Sequence, residues 1–303
     1  MTDHAGGADR PTVIALGFFD GVHLGHQALM ARAVQRGREQ DMEPAVFTFD
    51  RSPREFVTSL PVPLLTSAED RRRLVEELFP IRQVFIAPFD QRMMTMPWQD
   101  FITDLRERYH AGWLVAGHDF RFGHRNQGNA ALLAEECRRR GLGCDIIPPV
   151  RLDGITVSST HIRSLLEQGD LETARRFLGH GFSISGPVRR GRGLGSRLGA
   201  PTLNLVPDPH QLLPAYGVYA AYVTVDGGVY PAVTNIGVRP TVDGGGPVTV
   251  ESYLLSGGGD LYGAQCRVEL IAFLRRERRF DSLEALSRQI AQDALQAKVV
   301  LGL

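Results

Sequence analysis

Two histidines three residues apart, His23 and His26, stand in "GFFDGVHLGHQALM", where a short apolar run gives way to a helical pattern. A helix beginning near Leu24 puts both imidazoles at its N-terminus and on one face. Unpaired N–H groups and the positive end of the helix dipole gather there, a setting suited to a phosphate. Gly17, Gly21 and Gly25 let the backbone turn sharply and approach a ligand closely. Two imidazoles so placed can donate hydrogen bonds to a triphosphate whose charge grows during transfer. The other readings of H-x-x-H are ordinary surface histidines or a metal pair. A metal site would want a third ligand and an acidic base, and neither is evident nearby.

Three further stretches carry chemistry-bearing residues. "GHDFRFGHRNQG" (117–128) offers Asp119, Arg121 and Gly123, either as a nucleotide contact or as a solvated loop. "VSSTHIRSLL" opens a helix with Ser158 and Ser159 and places Arg163 about one turn on, so hydroxyls, N–H groups and a guanidinium converge on one anion. A plain helix cap has the same look. "RRGRGLGSRLGAPTLNL" (189–205) sets four arginines and four glycines before a Pro-Thr. It is either a flexible RNA-touching strip or a folded phosphate loop. Arginine-glycine strips of the RNA type are low-complexity repeats with no Pro-Thr-x-Asn behind them. Gly191, Gly195 and Gly199 favour the loop, since glycines let backbone N–H groups surround phosphate oxygens.

The elements that must position these residues change character along the chain. Up to about residue 180, apolar runs at 12–17, 44–49, 83–87, 113–117 and 144–148 read as strands. Helical patterns at 67–79, 97–109 and 129–141 lie between them, with Ser67 and Asp70 as a capping box and Pro97 at a first helical position. Repeated β-α-β implies a mostly parallel sheet covered on both faces, with ligands at the C-terminal strand ends. Two small helices follow near 159–168 and 170–178. Beyond residue 181 glycine is frequent and the pattern alternates with period two. Runs at 217–225, 229–235, 248–255 and 265–274 read as antiparallel strands, joined by a tight hairpin at 226–228 and longer turns at 243–246 and 256–260. The last helix covers 281–298, with Asp281 and Glu284 as cap partners and Leu283, Leu286 and Ile290 on one face. A small barrel fits this half. The domains are therefore placed at 1–181 and 182–303.

Composition narrows the classes. The chain has 303 residues, 43% hydrophobic and 22% charged, with zero formal net charge, so no basic excess points to nucleic acid. No apolar run is long enough to cross a bilayer, and "MTDHAGGADRPT" lacks the form of a signal peptide. Cys137, Cys144 and Cys266 form no C-x-x-C, which suggests a reducing compartment, no zinc site and a cytoplasmic location. Of 34 basic side chains only Lys298 is lysine. A P-loop and a protein kinase both need a lysine earlier in the chain, so both are excluded.

H-x-G-H after the first strand, with S-S-T-x-x-R later, resembles the nucleotidyltransferase superfamily. The fuller set "GFFDGVHLGH", "GHDFRFG" and "VSSTHIR", with the glycine pattern ending in "LGAPTLN", resembles the bacterial bifunctional riboflavin kinase/FMN adenylyltransferase (FAD synthetase) family. The resemblance implies a Rossmann-like α/β nucleotidyltransferase domain, then a small antiparallel β-barrel domain with a C-terminal helix. It implies that His23 and His26 meet the ATP phosphates, with Gly17, Phe19, Asp20 and Gly25 of the same motif in the nucleotide site. Ser158, Ser159 and Arg163 would hold the triphosphate, and Asp119 to Gly123 would shape the nucleotide pocket. In the second domain Gly191, Gly195 and Gly199 would form the phosphate loop. Thr202 and Asn204, on one face of an extended segment, would supply hard oxygens to Mg²⁺. A hydroxyl nucleophile needs a base, and Glu251 in "VTVESYLL" matches the family's catalytic carboxylate. It shares a face with Thr249, Tyr253 and Leu255; the alternative is a surface Glu on an edge strand. Arg275 in "LRRERRF" is a flavin contact or part of a solvated turn. "TNIGVRPT" (234–241) and "GDLYG" (259–263) read as loops. The implied partners are riboflavin, FMN and ATP, with no nucleic acid, membrane or obligate protein partner. Three positions depart from the family pattern: Ser52, His118 and Ala200.

Overall fold

A computed structural model describes residues 10–58, 60–189, 202–238, 248–257 and 261–303. By packing, the chain divides into two units, one of residues 1–62 and 68–158, the other of 63–67 and 159–303.

The first unit is a five-stranded parallel sheet in the order β3-β2-β1-β4-β7. Its elements are β1 (Thr12–Leu16), α1 (Leu24–Gln40), β2 (Glu43–Phe49), α2 (Pro53–Thr58), α3 (Ala68–Leu78), β3 (Gln83–Ala87), α4 (Gln91–Thr95), α5 (Trp98–Arg108), β4 (Ala111–Gly117), β5 (Arg121–Phe122), β6 (Gly128–Asn129), α6 (Ala130–Arg140), β7 (Gly143–Ile147), β8 (Arg151–Leu152) and β9 (Ile155–Thr156). Every residue of β1 is buried, because alternate side chains enter two cores. Val13 and Ala15 pack with Leu29 and Met30 of α1 and Leu74 and Val75 of α3. Ile14 and Leu16 pack with Phe101 and Ile102 of α5 and Leu133 of α6. Strand order reverses at β1, which lies between β2 and β4, so the loops after β1 and β4 share one sheet edge. Pro97 proves to be the N-cap of α5 and not its first helical residue. Ser52, where the family pattern has another residue, sits just before α2 and accepts from Glu55 N at 3.4 Å.

The second unit holds α7 (Ser159–Gln168), α8 (Leu171–Leu178), a closed barrel and α9 (Leu283–Leu301). The barrel strands are β10 (Phe182–Arg189), β11 (Thr202–Leu205), β12 (Gly217–Val225), β13 (Gly228–Val238), β14 (Val248–Leu254) and β15 (Gln265–Arg276), in the order β10-β11-β14-β13-β12-β15. Leu203, Ala232, Ile236, Val250, Leu254, Val268 and Leu270 are buried at alternate positions and fill the interior. Thr234 and Ser252 share a buried hydroxyl–hydroxyl bond of 2.8 Å. The β12–β13 hairpin turns through Asp226 (φ 48°) and Gly227 (φ 77°), as the Asp-Gly-Gly signal requires. The segment 63–67 straps onto this unit. Leu64 N donates to His210 O and Leu212 N donates to Leu64 O, both at 2.7 Å. Two expectations are corrected. The cap of α9 is Ser282, whose side chain accepts from Ala285 N, and not Asp281. β13 runs on past the expected strand end at Asn235, so Ile236 to Val238 are strand and not loop. On α9, Leu286 and Ile290 are half-buried; the side chain of Leu283 lies outside what the structure describes, as do residues 239–241 and 243–246.

Candidate active sites

In the first unit the loop from Gly17 to Val22 carries the site from β1 into α1. Phe19, Gly21 and Val22 all have positive φ, at 56°, 82° and 41°. For a β-branched residue such as Val22 this is strained backbone. It is held by Val22 N donating to Phe19 O at 3.0 Å and Gln27 Nε2 donating to Val22 O at 2.9 Å. His23 is the N-cap of α1, and its Nδ1 accepts from His26 N at 3.3 Å. The two imidazoles stack with centroids 3.5 Å apart and planes 17° apart, and the Phe19 ring meets His26 edge-on at 5.2 Å. A Cβ on Gly25 would lie 3.1 Å from His23 Cε1, so glycine there makes room for the stack. Burial, then His23, then Arg71 hold the His26 imidazole well below the usual histidine value. His26 Nδ1 is buried with no hydrogen-bond partner among the described residues. A polyphosphate brought against this pair would reverse the Coulomb balance and favour protonation.

Asp20 is buried, 2% exposed, and Coulombically favours the charge of Arg71. Asp119 stands exposed just after β4, with its carboxylate 3.9 Å from the His118 ring. Arg121 and Gly123 line a cavity of about 690 Å³ together with Phe49, Phe89, Met93, Phe101, Phe120 and Phe122. This aromatic and methionine-lined space was not evident in the sequence, because its walls come from five separate segments. Arg71 was missed too, since it looks like one arginine among three in "DRRRLV". Of the S-S-T-x-x-R set, Ser158 lies half-buried just before α7 and Ser159 opens that helix. Arg163 Nε donates to Pro63 O at 2.8 Å.

In the second unit the ladder sets Asn204 of β11 opposite Glu251 of β14, and Asn235 of β13 opposite the same Glu251. Directly opposed residues share a face, so Asn204, Glu251 and Asn235 form one row. Thr202 lies one step along, opposite Tyr253. The alternating residues fill the interior, so the row stands on the outer face of the barrel. β14 lies between β11 and β13, which removes the edge-strand alternative for Glu251. Asn235, where the predicted strand 229–235 and the predicted loop 234–241 overlap, is therefore a further residue of this candidate site. Its Nδ2 donates to Glu277 Oε1 at 3.1 Å. Gly191, Gly195, Gly199 and Ala200 lie outside the described residues. Among the described residues no cluster of three or more His, Cys, Asp and Glu is arranged to hold a metal. A magnesium site here would rest on neutral oxygens, a carboxylate and substrate phosphates.

Arg275 ends β15 and is gripped by Asp293 of α9 through Nε at 2.9 Å and Nη2 at 2.7 Å. Asp293 is 2% exposed and also accepts from Gln289 Nε2 at 2.7 Å. Asp293→Ala would leave a guanidinium 21% exposed without its main counter-charge. We expect a loss of about 3 kcal/mol, read as a lower denaturant midpoint at unchanged slope.

Residues 6–161 match the family model described as FAD synthetase, and residues 178–301 match that described as riboflavin kinase. A bifunctional riboflavin kinase/FMN adenylyltransferase from Pseudomonas fluorescens is 37% identical over 292 residues, covering 96% of this chain and 93% of that protein. The protein of the same name from Bacillus subtilis (strain 168) is 31% identical over 290 residues, covering 94% and 91%. A solved structure described as a macrolide-efflux protein from Streptococcus pneumoniae superposes with a TM-score of 0.84 at 27% identity, over 96% of this chain and 95% of that one. Among the described residues no helix is long and apolar enough to cross a membrane. Two family models matched in series, on two separately packed units, show that the chain belongs to the bifunctional riboflavin kinase/FMN adenylyltransferase (FAD synthetase) family.

Proposed function

We propose that the protein makes FAD from riboflavin in two ATP-dependent steps, kinase chemistry on residues 182–303 and adenylyl transfer on 1–181. The observation that carries the kinase half is the row Asn204–Glu251–Asn235, a carboxylate flanked across the ladder by two amide residues on a closed barrel. Glu251 takes the proton of the riboflavin 5′-hydroxyl as its oxygen attacks the γ-phosphorus of ATP, and ADP leaves. Thr202 and Asn204 present hard oxygens on the same face as Glu251, a donor set that fits Mg²⁺. When bound, Mg²⁺ would neutralise phosphate charge and orient the ATP. Gly191, Gly195 and Gly199, outside the described residues, keep the phosphate-contact role that the family resemblance implies. Arg275, fixed by Asp293, serves the flavin end.

In adenylyl transfer an FMN phosphate oxygen attacks the α-phosphorus of ATP, the bond to the bridging oxygen breaks, and pyrophosphate leaves. The nucleophile is already anionic, so no protein base is needed. Positioning and charge stabilisation carry the rate. His23 and His26 contact the phosphates at the start of α1, with Gly17, Phe19, Asp20 and Gly25 shaping that turn. Ser158, Ser159 and Arg163 are triphosphate ligands, and Asp119 contributes to the nucleotide side. The 690 Å³ cavity walled by Phe49, Phe120 and Phe122 suits the flat ring system of FMN, with Arg121 and Gly123 at its rim. The substrates are riboflavin, FMN and ATP, the setting is the cytoplasm, and no nucleic acid or membrane takes part.

Incubation with riboflavin, ATP and Mg²⁺, followed by chromatography of the flavins, tests this directly. FMN and FAD should both appear; absence of either removes that half of the proposal. Gly25→Ala should slow FMN-to-FAD conversion about tenfold, because the added methyl presses on the His23 ring. The same variant should phosphorylate riboflavin at the parent rate, as steady-state assays of each half-reaction would show.

A further inference from the structure

Arg71 occupies a core position. With Leu74 and Val75 it forms the inward face of α3, yet it is a full-length arginine only 1% exposed. Burying a cation is costly unless its donors are met. Here Nη1 donates to Phe18 O at 2.5 Å and Thr48 Oγ1 at 2.9 Å, and Nη2 donates to Phe49 O at 2.9 Å. Thr48 Oγ1 in turn donates to Phe18 O at 2.8 Å, so both lone pairs of that carbonyl are used. The guanidinium also lies over the Phe18 ring at 4.3 Å. Its charge is offset by the carboxylates of Asp20 and Asp50, while burial pulls its pKa down to about 10. Phe18 is the residue immediately before the positive-φ turn that delivers His23 and His26.

We propose that Arg71 is a positioning residue for adenylyl transfer: its fork fixes the Phe18 carbonyl to the end of β2 and so sets the turn that places the His23–His26 pair. The inference rests on assigning that pair to adenylyl transfer. A guanidinium is needed because an ammonium cannot reach three acceptors in a plane. Hydrophobic replacement would leave the Phe18 and Phe49 carbonyls short of a donor.

The test compares Arg71→Lys and Arg71→Gln with the parent in both half-reactions. The kinase reaction, which runs on the other unit, controls for the amount of intact enzyme, and an unchanged denaturant midpoint reports that the first unit is folded. In both variants kcat for FMN-to-FAD conversion should fall about 30-fold, KM for ATP should shift less than about threefold, and the kinase rate should hold. A structural role alone would not move the next readout. By NMR the His26 ring should titrate higher in Arg71→Gln, where a neighbouring cation is gone, and keep its parent value in Arg71→Lys; His23 and Arg71 are the charged groups that face it. Thr48→Val, nearly isosteric, removes the hydroxyl linking Arg71 to Phe18 and should cost about fivefold in the same kcat. If the Arg71 variants do not fold, Thr48→Val decides. A folded variant converting FMN at the parent rate overturns the proposal, and so does equal loss of both half-reactions. If His26→Ala itself keeps full FAD formation, the assignment of the pair fails instead.

Discussion

Glu251→Ala should form FMN from riboflavin about a thousandfold more slowly than the parent, while converting supplied FMN to FAD at the parent rate. The size follows from the nucleophile. A ribityl hydroxyl must lose its proton as it attacks, and the row Asn204–Glu251–Asn235 contains one group able to take it. Its neighbours in the row are amides, which cannot replace a carboxylate as base, and the Glu277 carboxylate beyond them is engaged by Asn235 Nδ2. Glu251→Gln should therefore fail as badly as the alanine variant, although it preserves volume and hydrogen bonding. Single-turnover formation of FMN, followed by chromatography, measures this without interference from product release. An FMN-forming rate within tenfold of the parent would remove Glu251 from the chemistry.

His26→Ala should show the opposite split: FAD formation reduced several-hundredfold, FMN accumulating from riboflavin at the parent rate. The imidazole stacks on His23, meets Phe19 and stands at the start of α1, so its loss removes a donor and loosens a strained turn. Its lowered pKa also fixes the pH behaviour of the parent. Below the ordinary value of 6.5 the unfolded chain takes up this proton before the folded one. Stability from this group is complete above about 6.5 and declines as pH falls toward the lowered value. The profile of kcat/KM for ATP should then lack a limb near 6.5 from His26 in the free enzyme. If both variants lost both reactions while folded, two independent sites would be the wrong description.

The fold was legible where periodicity is strong. The five apolar runs of the first half are the five strands of the parallel sheet, and β12 appears at the predicted residues. The H-x-G-H pair is also local: its spacing and the preceding glycines sit within one turn and one helix. What the sequence hides are contacts made across the chain. Arg71 is a core residue only because β1 and β2 end beside it, 53 and 22 positions earlier at Phe18 and Phe49. Asn235 was legible as the end of a strand, but its place opposite Glu251 is set by the register between β13 and β14. The grip of Asp293 on Arg275 needs α9 folded back over the barrel, which no short window reveals.

The strap at residues 63–67 bears on how the protein is made. Leu64 donates to and accepts from residues 210 and 212, so its partners emerge from the ribosome roughly 146 residues later (64 to 210). At 5–20 residues per second that delay is about 7–30 s. Leu64 and Leu65, both buried in the finished structure, wait through it without their final cover. A nascent chain paused between the two halves would thus carry a short apolar segment in its otherwise completed first half. Chaperone capture during synthesis should concentrate there and end once the strand following β11 has been translated.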